Sequence, residues 1–77
     1  MHFDQMKPGE KGKIIRLGVA QNSIYRHRLI AMGLLPGTEF MISRVAPLGD
    51  PVEMIIRGYA LSLRKHEAAI LQVEKIC

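Results

Sequence analysis

The chain has no tryptophan, two tyrosines, two phenylalanines and a single cysteine among 77 residues. So few aromatics leave no platform on which single-stranded nucleic acid could stack. They leave no aromatic groove for a proline-rich peptide either. One cysteine, Cys77, excludes an internal disulfide framework and fits a cytosolic setting. No apolar run approaches the roughly 18 residues of a membrane span, so direct membrane insertion is not expected. The opening Met1-His2-Phe3-Asp4-Gln5-Met6 lacks the basic start and apolar core of a signal peptide. The three histidines, His2, His27 and His66, are not paired at metal-ligand spacing. No glycine-rich phosphate loop precedes a Lys-Ser or Lys-Thr, and no serine has a histidine partner at a recognisable spacing. The expectation is a chain with no catalytic residues, no cofactor and no metal ligands.

What is present is a basic balance and an ordinary globular composition. Eleven Lys and Arg face seven Asp and Glu, for a net charge of +4, with hydrophobic residues at 48%. The excess favours an anionic partner: an acidic protein face, a nucleotide, RNA or a membrane surface. A chain this short buries only about 60% of the surface its unfolded form exposes, so one thin core is expected over residues 1–77. It leaves no room for a substrate cavity of enzyme size.

Residues 1–6 read as a short strand or ordered arm anchored by Phe3 and Met6, and Lys7-Pro8-Gly9-Glu10 as a turn. Gly12 to Gly18 is a strand; its two-residue period places Ile15 and Leu17 on one face, Ile14 and Arg16 on the other. A helix follows over 23–32, with Asn22 or Ser23 as N-cap. At about 100° per residue, Tyr25, Leu29 and Met32 form its core stripe. Gly33 stops it, and Leu34 folds back onto Leu29. Arg26, His27 and Arg28 fall early in the helix, where positive charge opposes the dipole. Ile30 projects opposite the stripe.

Pro36-Gly37 is a tight turn. Thr38 to Val45 alternates Phe40 and Ile42 against Met41, Ser43 and Val45. A two-proline loop, Pro47 to Pro51, holds Gly49 in a conformation other residues avoid. Val52 to Ile56 and Tyr59 to Leu63 are strands joined at Arg57-Gly58, with Tyr59 patterned as core. Arg64 to Ala69 is one helical turn, and Ile70 to Ile76 a last strand with Leu71 and Val73 inward. Five or six short antiparallel strands are best satisfied by a small, partly open, mainly β barrel, which covers most edges around one core. The short helix follows the first long strand. The helical turn before the last strand is a feature of Src-homology-3-like barrels.

Three stretches carry a more specific resemblance: Leu29 to Gly37, Arg44 to Pro51 and Leu61 to Ala68. Together, in this order, they resemble the FeoA family, ferrous iron transport protein A. Lys7 to Ile14 resembles the family's opening strand. The resemblance implies a small cytoplasmic Src-homology-3-like protein that is not an enzyme. It implies an accessory or regulatory role beside FeoB, the membrane ferrous iron transporter with a cytoplasmic G-domain. It implies protein–protein contact with that transporter at the inner face of the membrane. No nucleic-acid partner is expected, for want of a stacking platform, and weak self-association is a further expectation.

Two alternatives stay open. One is a small basic barrel binding RNA or a nucleotide along Lys7, Lys11, Lys13 and Arg16. The other is a transition-metal-binding or sensing domain, using His2, His66 and Cys77, related to the C-terminal domain of iron-dependent repressors.

Gly33, Pro36, Gly37, Pro47, Gly49 and Pro51 shape the backbone, so they read as structural. The candidate partner face is drawn from residues the fold does not require: Arg26, Arg28, Ile30, Leu35 and Leu48. Leu48 lies on a proline-stiffened loop, where an apolar side chain is held out at little entropic cost.

Overall fold

A computed structural model describes residues 3–18 and 23–76. Five strands, β1 (Lys11–Leu17), β2 (Glu39–Val45), β3 (Val52–Ile56), β4 (Tyr59–Leu63) and β5 (Leu71–Lys75), form one antiparallel sheet in the order β4-β3-β2-β1-β5. Helix α1 (Ser23–Ala31) lies between β1 and β2 in the chain. The mainly β, partly open barrel expected from the strand count is observed: β4 and β5 are its unjoined edges.

Of the two readings of the first segment, the ordered arm is observed and the strand is not. Phe3–Gln5 is a 3-10 turn and not a strand, closed by Met6 N–H donating to Phe3 O at 3.1 Å. Its anchors are Phe3 and Met6, both buried. Two apolar residues three apart suit a single turn, which turns both side chains to the core.

Strict alternation also fails in β1 and β2, at the same kind of place. The β1–β5 register shifts between Ile14 and Arg16, and the β2–β3 register between Ile42 and Arg44. One extra residue at each bulge flips the side chains that follow. Ile14 is buried, Ile15 is exposed, and Leu17 returns to pack on the core. Ile15 and Leu17 therefore do not share a face. Likewise Val45 packs on the core side with Ile42, and not outward with Met41. The two bulges bend the long strands, and that bending curls five strands around a core of side chains such as Ile14, Phe40, Met54 and Leu71.

Gly12 sits opposite Phe40 in the β1–β2 register. A Cβ there would stand 2.6 Å from the end of the Phe40 ring and 3.0 Å from the Met6 side chain. The bare glycine is thus where the ring crosses β1.

The end of α1 follows the glycine stop. Gly33 has φ +91, its N–H donates to Ile30 O at 2.9 Å, and Leu34 N–H donates to Leu29 O at 3.0 Å. These two bonds are the Schellman pattern, and Leu29 and Leu34, its apolar pair, are both buried. Tyr25 and Met32 are half-buried beside Leu29. Of the two N-cap candidates, Asn22 lies outside the described residues and Ser23 is the first helical residue. Arg28 falls in the last turn of α1, where its charge suits the dipole, and not early in the helix as expected.

The β3–β4 hairpin turns at Arg57 (φ 50) and Gly58 (φ 86), the two positive φ values of a primed turn. Val52, Met54 and Ile56 are buried, as their alternation predicts. Tyr59 is not core: it is 44% exposed at the start of the edge strand β4. Between β4 and β5, Glu67 N–H and Ala68 N–H both donate to Arg64 O, at 3.0 and 3.2 Å. That is the single helical turn before the last strand.

Candidate functional site

The 46–51 loop is a stiff hairpin tip. Gly49 N–H donates to Ala46 O at 2.7 Å, and Ala46 N–H donates to Pro51 O at 3.1 Å. Pro47 fixes φ at the first corner of that turn, Gly49 has φ +86, and the Asp50–Pro51 peptide is cis. Leu48 stands at the second corner and is 96% exposed. The loop does not hang free. Asp50 Oδ1 accepts from Lys65 N–H at 2.9 Å, which ties it to the turn after β4.

The same turn is tied to α1. Arg28 Nη1 donates to Glu67 Oε2 at 2.7 Å, and the Tyr25 and His66 rings meet edge-to-face with centroids 5.9 Å apart. Residues 64–70 therefore bridge the basic helix and the Leu48 loop. Beside this bridge lies a shallow cleft of about 30 Å³, partly open to solvent. Its walls include Tyr25, Arg28, Leu29 and Met32 on one side, Ser62 and Leu63 on the other. It is smaller than the ~300–1,000 Å³ of small-molecule sites.

Arg26, Arg28 and Ile30 all lie on α1; the two arginines are exposed and Ile30 is half-buried. Leu35 is 41% exposed and opens a separate turn, in which Thr38 N–H donates to Leu35 O at 3.0 Å across Pro36 and Gly37. That turn hangs from β1: Gly37 N–H donates to Ile14 O at 2.6 Å, and Ile14 N–H to Thr38 O at 2.9 Å. The Thr38 hydroxyl also donates to Gly33 O at 3.2 Å. So the structure links Arg28 to the Leu48 loop through residues 64–70, and sets Leu35 on a different support.

Sequence reasoning missed the connectors Asp50, Lys65 and Glu67. Asp50 had a signal, since Asp between Gly49 and Pro51 is a turn residue whose carboxylate seeks a backbone N–H. Glu67 had none, because its partner is 39 positions away. Among the described residues no three His, Cys, Asp or Glu side chains gather to hold a metal ion. Of the metal candidates, His2 and Cys77 lie outside the described residues, and His66 is the ring beside Tyr25. Among the described residues no helix is long and apolar enough to cross a membrane.

The model of the FeoA domain matches residues 1–75. The chain belongs to the FeoA family. It is 34% identical over 76 residues to an Fe(2+) transport protein A/Fe(2+) transporter FeoB fusion protein of Porphyromonas gingivalis. That match takes in 99% of this FeoA chain but 9% of the fusion protein. The solution structure of iron(II) transport protein A from Clostridium thermocellum superposes with a TM-score of 0.88 at 38% identity, over 99% of this chain and 46% of that one. A FeoA of Stenotrophomonas maltophilia, described as a prokaryotic SH3 domain protein, superposes with a TM-score of 0.82 over 96% of this chain and 89% of that one. At 20% identity the last likeness shows the fold alone, and that fold is the Src-homology-3-like barrel.

Proposed function

We propose that this FeoA chain is a non-enzymatic accessory protein of ferrous iron uptake that acts by contact with the cytoplasmic part of a FeoB-type transporter, at the inner face of the membrane. The observation that carries the reading is the fusion relative, in which a segment alignable to 99% of this chain shares one polypeptide with a FeoB transporter. Two proteins that work as a pair can be joined in this way, because fusion raises their effective concentration.

The surface offered to that partner is the Leu48 loop together with Arg26 and Arg28. Leu48 is a large apolar side chain almost wholly in water, and the Pro47 turn and the Asp50–Lys65 bond have already fixed its position. Little entropy is left to lose on docking. The basic helix supplies charge that steers an acidic face toward it. Leu35, also exposed, is a secondary candidate, and Ile30, half-buried on α1, is a weaker one.

The test is co-purification of the tagged chain with a detergent-solubilised FeoB-type transporter. Retention of the wild type, with loss on Leu48→Asp and weakening on Arg26→Glu, is the expected result. A wild-type chain that washes through at moderate salt would overturn the reading.

A further inference from the structure

The two edges of the sheet are treated differently. The β5 edge is blunted by the methods natural sheets use. The Phe3–Gln5 turn packs against β5, Glu74 and Lys75 are exposed on it, and the Lys75 ammonium pairs with Glu10 at 2.5 Å. The β4 edge lacks such charges and ion pairs, and the end of α1 meets it at Tyr59, whose hydroxyl donates to Met32 O. Tyr59–Leu63 contains no charge and no proline, and its register with β3 runs without a bulge from Ile56–Tyr59 to Val52–Leu63.

That register says which backbone groups point away. The two-residue turn makes Ile56–Tyr59 a hydrogen-bonded pair, so Met54–Leu61 and Val52–Leu63 are also hydrogen-bonded pairs. Ala60 and Ser62 are the alternate positions. Their N–H and C=O groups face outward, both residues are exposed, and no other described element pairs with the strand. Beside this strand lies the cleft walled by Ser62 and Leu63 of β4, by Tyr25, Leu29 and Met32 on the α1 side, and by the paired Arg28 and Glu67.

The charge around this edge has one dominant sign. Arg57 precedes β4, Arg64 and Lys65 follow it, and no acidic residue lies between Met54 and His66. Of the nearby carboxylates, Glu67 is paired with Arg28 and Glu53 accepts from the Ser43 hydroxyl at 2.9 Å. A second copy of the chain, paired edge to edge antiparallel about Leu61, would set Arg57 against Lys65, which like-charge repulsion opposes.

We propose that the β4 edge is a strand-addition site for an extended segment of a partner protein, with acidic residues at its ends and an apolar residue at its centre. The segment would pair with the outward groups of Ala60 and Ser62. Its central side chain would rest over the mouth of the cleft, against Met32, and its carboxylates would meet Arg57 and Arg64. Main-chain pairing would supply affinity, and the charged ends the selection. This surface is separate from the Leu48 loop and shares only Arg28, at the cleft, with the face proposed above, and the inference does not depend on the partner being a transporter.

The test is an amide-resolved NMR titration of the isotope-labelled chain with a seven-residue peptide bearing a β-branched centre and glutamate at both ends. The Ala60 and Ser62 amides should shift and gain protection from exchange. A lysine-ended peptide should bind roughly tenfold more weakly or worse, and N-methylation of alternate peptide amides should abolish binding. Ser62→Pro removes one outward N–H without taking a bond from β3, and it should weaken binding while the spectrum stays folded. Should that variant unfold, the double variant Arg57→Glu, Arg64→Glu asks the same question without touching the backbone. Absence of shifts at Ala60 and Ser62 at millimolar peptide would overturn the proposal. So would equal binding of the lysine-ended peptide, or a dimer paired through β4 in sedimentation.

Discussion

The phenol of Tyr59, at the start of β4, donates a hydrogen bond of 2.5 Å to the carbonyl of Met32, just past the end of α1. The last carbonyls of a helix have no partner within it, and this one is satisfied from the sheet. The bond is what fastens the helix end to the edge strand. Tyr59→Phe keeps the ring and removes only the donor. The expected cost is about 0.5–1.5 kcal/mol, toward the lower end because Tyr59 is half in water and solvent can replace the lost donor. Urea unfolding of the pair of proteins measures it. An unchanged midpoint would mean that the phenol adds nothing beyond packing.

Leu29 is the centre of the helix's contact with the barrel, 1% exposed and hydrogen-bonded through its carbonyl to the Leu34 amide. Leu29→Ala is expected to cost roughly 2–5 kcal/mol, the transfer free energy of the lost methyl groups plus the cavity left behind. Gly12→Ala acts in the opposite sense, adding a methyl where the Phe40 ring already stands 2.6 Å from its place. Overpacking of this kind costs typically about 1–3 kcal/mol. Pairing Gly12→Ala with Phe40→Leu should recover part of that loss, and thermal melts of the four proteins report it.

Glu10, just before β1, ties the start of that strand to β5 and to the Lys7 turn. Its carboxylate takes the Lys75 ammonium at 2.5 Å and the Lys7 backbone N–H at 2.6 Å. Those two contacts, Lys75 first, hold its pKa below the ordinary 4.5. In the unfolded chain the group protonates at the ordinary value, so the unfolded state binds the proton more readily. The stabilisation from Glu10 is therefore present above pH 4.5 and is lost as pH falls through the lower, folded value. The comparison is with Glu10→Gln, which isolates this one carboxylate. The wild type should lose more of its melting temperature than the variant between about pH 5 and pH 3. Parallel curves would show that the pairing does not persist in solution.

The elements were legible where one residue type forces one backbone state. Gly33 after Met32 gave the helix end, Arg57-Gly58 the hairpin, and the alternation of Val52, Met54 and Ile56 a buried strand face. The two bulges were not legible. Period-two reasoning has no marker for an extra residue such as Ile15 or Ser43, whose types suit a regular strand equally well. Tyr59 was misplaced because alternation assigns a face and not a depth. At the end of an edge strand the inward face still meets solvent. The candidate site was legible only as exposure: Leu48 and the arginines of α1 could be named singly. Their link through Asp50, Lys65 and Glu67 depends on contacts between distant parts of the chain, which no local pattern encodes.

That link makes the two helix arginines separable. Arg28 is in an ion pair and Arg26 has no ion pair among the described residues. Reversal of Arg26 should leave stability within about 0.5 kcal/mol of wild type, as exposed substitutions usually do. Reversal of Arg28 should cost more, because it sets two carboxylates together across the joint between α1 and residues 64–70. The pair itself is half in water, with the Arg28 side chain 58% exposed, so a double-mutant cycle with Glu67 should return about 0.2–1 kcal/mol of coupling. The swap Arg28→Glu with Glu67→Arg then divides structure from recognition. It restores an ion pair, and with it most of the stability, but moves the positive charge off the helix. If α1 reads an acidic partner through Arg28, the swapped protein melts near wild type and binds weakly. If the arginine only holds the turn in place, the swap restores binding along with stability.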